Sequence, residues 1–113
     1  AYDPYYPALS ATQRLKQDYD AIISGDVLEH IATEDIPWDY FKTIAHNIHV
    51  IDLTPAKKRL PSGANAHINL QTEAEWMATF HLHLGGKLLQ HMTYQEPDTT
   101  YEWRTRLCLH IKL

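Results

Sequence analysis

The chain is poor in cysteine, in long apolar runs and in excess positive charge, and each shortage excludes something. Its 113 residues include one cysteine, Cys108, so no disulfide can close within them. That fits a reducing compartment, and the expectation is a cytoplasmic protein. No stretch approaches the ~20 consecutive apolar residues of a membrane-spanning helix, and no secretory pattern opens the sequence. Ten Lys and Arg stand against 14 Asp and Glu, a formal charge of −4. Charge therefore gives no indication of a nucleic-acid partner.

What is present is an ordinary globular composition. Hydrophobic residues make up 44% and aromatics 11%, enough for one domain over 1–113 with a modest core. Histidine is unusually frequent, with eight copies. The chain opens Ala1-Tyr2-Asp3-Pro4 without methionine, so its start is expected to be processed, trimmed or missing.

Prolines 4 and 7 forbid regular structure at the start, and Ser10 can cap a short helical turn through Lys16. The run Tyr19-Asp20-Ala21-Ile22-Ile23-Ser24-Gly25 does not alternate cleanly, which predicts a buried, parallel strand. Val27, Leu28 and Ile31 then suit a helical turn. Ile36, Tyr40, Phe41 and Ile44 recur at helical spacing, with Pro37 near the start and Asn47 at the end, predicting a helix over 34–46. Residues 48–53 read as a second strand, parallel to the first. Residues 54–71 form a long loop punctuated by Pro55, Pro61 and Gly63, and loops of this length are usually functional or disordered. Thr72 and Glu75 make a capping box for a helix that Gly85-Gly86 stops after Leu84. Residues 87–95 and 100–112 read as an antiparallel hairpin. The fold class expected is α/β, with parallel strands and an antiparallel carboxyl-terminal hairpin.

Three stretches resemble the class I S-adenosylmethionine-dependent methyltransferases. The run ending in Asp26-Val27-Leu28-Glu29-His30-Ile31 looks like the family's fourth strand and its DVLEH loop. Residues 55–67, with Lys57-Lys58-Arg59 and Asn65-Ala66-His67, look like the PAKKxLPDGxNAH loop of a bacterial and phage branch. Glu73-Ala74-Glu75-Trp76 resembles that branch's PxxWW helix start, and the family also closes its sheet with an antiparallel hairpin. The resemblance runs from Asp3 to Leu113 and implies a partial Rossmann-like sheet. The family binds its cofactor through a glycine-rich turn after the first strand, a turn that lets backbone approach the ligand. None of Gly25, Gly63, Gly85 and Gly86 makes that turn. The chain thus resembles the last two-thirds of the domain, with impaired cofactor binding expected of these residues alone. Ser62, Ala64 and Met77 depart from the branch's usual Asp, Arg or Lys, and second Trp.

The resemblance also suggests roles. Asp26 and His30 would line the reacting side, with His30 as a base of near-neutral pKa. Asp26 and Val27 would lie against S-adenosylmethionine, and Asp3 would hold its ribose. Apart from the resemblance, Lys57, Lys58 and Arg59 could neutralise phosphate on an anionic substrate, and Asn65 and His67 could touch a substrate of unknown class. Each has a plainer reading: Asp26 as a helix N-cap, His30 as a packing residue, Asp3 as a frayed turn, the basic cluster as solvated, Asn65 and His67 as ties ordering their loop. No metal site is expected, because His81-x-His83 does not share a face on a helix and His46 with His49 spans two elements. Trp38, Trp76 and Trp103 read as packing residues, and Cys108 as a small buried hydrophobe. Two functional readings follow: a methyltransferase, or a non-catalytic remnant that acts by assembly. In the family the first strand pairs with the strand ending at Gly25. Without it residues 19–25 present an open edge, which invites a homo-oligomer or a complementing chain.

Overall fold

The computed structural model describes residues 19–57, 59–98 and 103–113. Expectations for the first 18 residues, among them Asp3, for Lys58, and for the hairpin tip at 99–102 lie outside the described residues. Four strands form one mixed sheet: β1 (Ala21–Gly25), β2 (His46–Asp52), β3 (Lys87–Pro97) and β4 (Trp103–Lys112). Their order is β1-β2-β4-β3. β1 and β2 are parallel, with Ala21 opposite His46 and Gly25 opposite Val50. β4 is antiparallel to both neighbours, so the hairpin folds β4 back between β2 and β3.

The register explains where the core lies. Asn47 pairs with Ile111, His49 with Leu109 and Ile51 with Leu107. Alternate residues of a strand share a face, and all six of these are buried. Against this face pack α1 (Trp38–Phe41) and α2 (Glu73–Leu84), which contribute Trp38, Phe41, Trp76 and Phe80 to one cluster. The hydroxyl of Thr72 accepts the Glu75 amide at 3.2 Å, and the Glu75 carboxylate accepts the Thr72 amide at 3.0 Å, the capping box expected. Gly86 shows why a glycine pair ends α2. Its φ is +69°, and a Cβ there would lie 2.5 Å from the Leu113 side chain.

Four expectations need correction. The helix proposed over 34–46 is absent; Thr33–Asp35 is a 3-10 turn and α1 has only four residues. Ile36, Phe41 and Ile44 are all buried, but only Phe41 is helical, so the spacing reflects contact with the core by a short helix and the irregular chain on either side of it. Asn47 does not end a helix by position. It lies inside β2, and its side-chain amide donates to the carbonyls of Phe41 and Ile44, both at 3.1 Å. β1 is parallel, as expected, but not buried: its residues alternate between exposed and half-buried, and Ile23 is 72% exposed. Among the described residues β1 is an edge strand. Trp103, too, is exposed rather than packed. No helix among the described residues is long and apolar enough to cross a membrane.

Candidate functional site at the carboxyl ends of the parallel strands

In open α/β sheets, ligands collect beyond the carboxyl ends of parallel strands. Here that region is built by the 3-10 turn Leu28–His30 after β1, by Asp52 and Thr54 at the end of β2, and by the loop at 65–69. The loop is tied down. Asn65 Oδ1 accepts the amides of Ala56 at 2.8 Å and His67 at 3.0 Å, and its Nδ2 donates to the Ala56 carbonyl. The Asn69 amide donates to the Glu29 carbonyl at 3.0 Å, and its side chain to the Ile31 carbonyl at 2.9 Å. Asn65 therefore orders the loop, and Asn69 presses it onto the turn.

Asp26 has a left-handed backbone, φ 54°. Its carboxylate does not cap the following turn. Instead Arg106 of β4 grips both oxygens, Nε to Oδ1 at 3.0 Å and Nη2 to Oδ2 at 3.1 Å. Arg106 also meets Glu96. Asp52 is likewise engaged: Oδ1 accepts the Thr54 amide at 2.9 Å, and Oδ2 pairs with Arg104. Val27, beside Asp26, is exposed.

Glu29 is different. It is completely buried, and among the described residues neither carboxylate oxygen has a hydrogen-bond partner. Burial pushes its pKa up to about 7, the Asp26 and Asp52 charges add to this, and the Glu29 and Asp52 amides offset part. His30 and His67 stand beside it, ring centroids 4.6 Å apart and edge to face. His67 Nδ1 lies 2.6 Å from the Thr54 carbonyl, and His30 Nδ1 lies 3.1 Å from the Ala66 carbonyl. A carbonyl only accepts, so both Nδ1 atoms carry a hydrogen, and in the neutral ring Nε2 is then the nitrogen with the lone pair. One ligand atom from each of Glu29, His30 and His67 lies within 4.8 Å of the others.

Of the expected site residues, the structure brings together Asp26, His30, Asn65 and His67. Lys57 and Arg59 are turned to other partners: Lys57 Nζ is 2.9 Å from Asp98, and Arg59 Nη1 donates to the Gly63 carbonyl at 3.2 Å. Sequence reasoning passed over Glu29 as a site residue; its one signal was its place between Asp26 and His30. It also passed over a second polar cluster on β2. The Ser24 hydroxyl lies 2.7 Å from His49 Nδ1, and His49 Nε2 lies 3.3 Å from Asn47 Oδ1. Because Asn47 Nδ2 donates to two carbonyls, its Oδ1 must accept from His49 Nε2–H. His49 Nδ1 then accepts from Ser24. Burial lowers the His49 pKa to about 3, so the ring is neutral. Scanned against protein-family models and compared with curated proteins, the chain matches none.

Proposed function

We propose that this chain forms the carboxyl-terminal part of a class I S-adenosylmethionine-dependent methyltransferase domain, its acceptor substrate unassigned. The observation that carries the reading is the sheet. A parallel pair, β1 and β2, ends in the DVLEH-like turn, and a reversed hairpin completes the sheet on the far side. The site at 26–30 thus sits where an open α/β sheet takes its ligand. Such a reaction is a direct displacement. Bound S-adenosylmethionine would supply an activated methyl group to the acceptor, and Asp26 and Val27 would be the described residues lying against it. The protein's part is mainly alignment in a dry pocket. Asp26, gripped by Arg106, supplies a fixed carboxylate at the mouth. His30 presents an Nε2 lone pair there, suited to taking the acceptor's proton or to coordination. A wide cleft lined by Leu53, Pro55, Leu70 and Thr105 opens beside Thr54 and gives an acceptor room.

A second reading is favoured by the exposed Ile23 on the edge strand. β1 would pair with a strand from another copy or from a complementing segment, completing the sheet. Sedimentation equilibrium at high concentration tests this, and a clean monomer argues against it.

The cofactor reading is tested by titrating the 15N-labelled chain with S-adenosylhomocysteine to millimolar concentration. Amide shifts confined to residues 26–31 and the end of β2 are expected, with weak affinity. An unchanged spectrum would sink the reading for these residues.

A further inference from the structure

We infer that Glu29, His30 and His67 form a binding site for a divalent transition-metal ion of the zinc type. The inference goes beyond the methyltransferase reading and does not rest on it. Three observations converge. First, the donor set is two imidazoles and one carboxylate, with the three ligand atoms within 4.8 Å of one another. Such a set suits zinc and its neighbours better than magnesium or calcium, which prefer oxygen alone. A modest contraction brings the atoms to bonding distance around one ion, about 2.0–2.2 Å from each.

Second, each imidazole is prepared for coordination. Nδ1–H is spent on a backbone carbonyl, Thr54 for His67 and Ala66 for His30. This outer hydrogen bond fixes the tautomer of the neutral ring, so that Nε2 is the nitrogen open to a metal, the usual support of a metal-bound histidine. Third, Glu29 is fully buried and both its oxygens lack a partner. Buried carboxylates are ordinarily paired or bound to metal. Among the described residues Glu29 makes no side-chain hydrogen bond, and one of its oxygens lies within 4.8 Å of a ring nitrogen of each histidine.

The neighbouring acidic group, Asp26, Glu29 and Asp52, also lies within 4.8 Å, yet it is a weaker candidate. Arg106 and Arg104 already neutralise Asp26 and Asp52 and would repel a cation on that side. Three protein ligands with an open fourth position is the pattern of reactive zinc sites rather than of closed structural ones. An ion there uses the His30 lone pair, so ligation and service as a free base exclude each other at His30. The spacing rules applied to the sequence missed this set because His67 joins it from a loop 37 residues beyond His30.

The test is calorimetric titration of the chelator-treated chain with Zn2+ alone, with Co2+ as a spectroscopic probe. One ion per chain is expected. Loss of an outer-shell partner typically costs 10–100-fold in affinity, so losing a ligand in Glu29→Gln or His67→Gln should cost more than about 100-fold. His110→Gln is the control. His46 Nδ1 and His110 Nε2 lie 3.1 Å apart elsewhere on the sheet and are the natural rival site. That variant should bind as tightly as the parent. Co2+ should give visible bands that Glu29→Gln abolishes. Glu29→Gln preserves side-chain shape, and circular dichroism confirms that it folds, so the inference survives a misfolded His67 variant. No stoichiometric binding, or binding undiminished by Glu29→Gln, overturns it.

Discussion

Two polar clusters, one along β2 and one in the turn beyond the carboxyl end of β1, are opposites. Ser24, His49 and Asn47 form a closed chain in which every donor has an acceptor, ending on the carbonyls of Phe41 and Ile44. Glu29 sits as deep and has no hydrogen-bond partner among the described residues. A satisfied buried network holds one arrangement of the core. A buried group left without partners costs stability and persists where something else uses it. The contrast gives the first cluster a structural role and is one ground for the metal site proposed at the second. Burial raises the Glu29 pKa at the strand ends, which fits that contrast.

The contrast is broken most forcefully at Asn47. Asn47→Ala removes the acceptor for His49 and the donor for two carbonyls at once. Each buried group left unpaired costs about 1–3 kcal/mol. A loss of roughly 3 kcal/mol or more is expected in urea unfolding. A loss below about 1 kcal/mol would show that the network is not what holds α1 and its following turn to β2.

The clusters also differ in the sign of their pH dependence. His49 titrates near 3 when folded and near 6.5 when unfolded. Its contribution is therefore complete above about 6.5 and is lost as pH falls toward 3. Glu29 runs the other way, with a folded pKa of about 7 against 4.5 unfolded. Its contribution is complete below about 4.5 and is lost as pH rises through 7. Each slope is about 1.4 kcal/mol per pH unit. Between 4.5 and 6.5 the two cancel, and metal-free stability should be nearly flat. Glu29→Gln unmasks His49: stability should then rise with pH through that window. At pH 8 with chelator the variant should exceed the parent by about 1–2 kcal/mol. Chemical denaturation at a series of pH values reads both effects, and identical profiles would deny that Glu29 is buried without a partner.

How far this was legible in the sequence depends on how local the cause is. The capping box at Thr72 and Glu75, the stop at Gly85-Gly86 and the hairpin are local, and they stand where expected. The parallel pairing of β1 and β2 was legible as well. The helix over 34–46 was not, because Ile36 and Ile44 reach the core from irregular chain on either side of the four-residue α1, and spacing alone cannot separate that from one long helix. Of the site, Asp26, His30, Asn65 and His67 share one end of the sheet as expected. Lys57 and Arg59 do not join them, because Asp98 and the Gly63 carbonyl take their charges locally. Glu29 escaped because its isolation is tertiary. The Asn69 amide holds the Glu29 carbonyl and brings the loop down, leaving the side chain beneath without a partner.

The finest test of the comparison is Ser24, at the outer end of the satisfied chain. Its hydroxyl is the only hydrogen-bond donor His49 Nδ1 has among the described residues. It sits on the edge strand and is half-buried rather than sealed. Ser24→Ala removes one hydrogen bond, and water can approach from the edge to replace it. The expected cost is therefore about 1 kcal/mol or less, well below that of Asn47→Ala. If β1 pairs with a strand from another chain, the edge closes and water is shut out. Concentrating the protein should then raise the cost of Ser24→Ala toward that of Asn47→Ala. A cost independent of concentration places Ser24 at an edge that stays open to solvent.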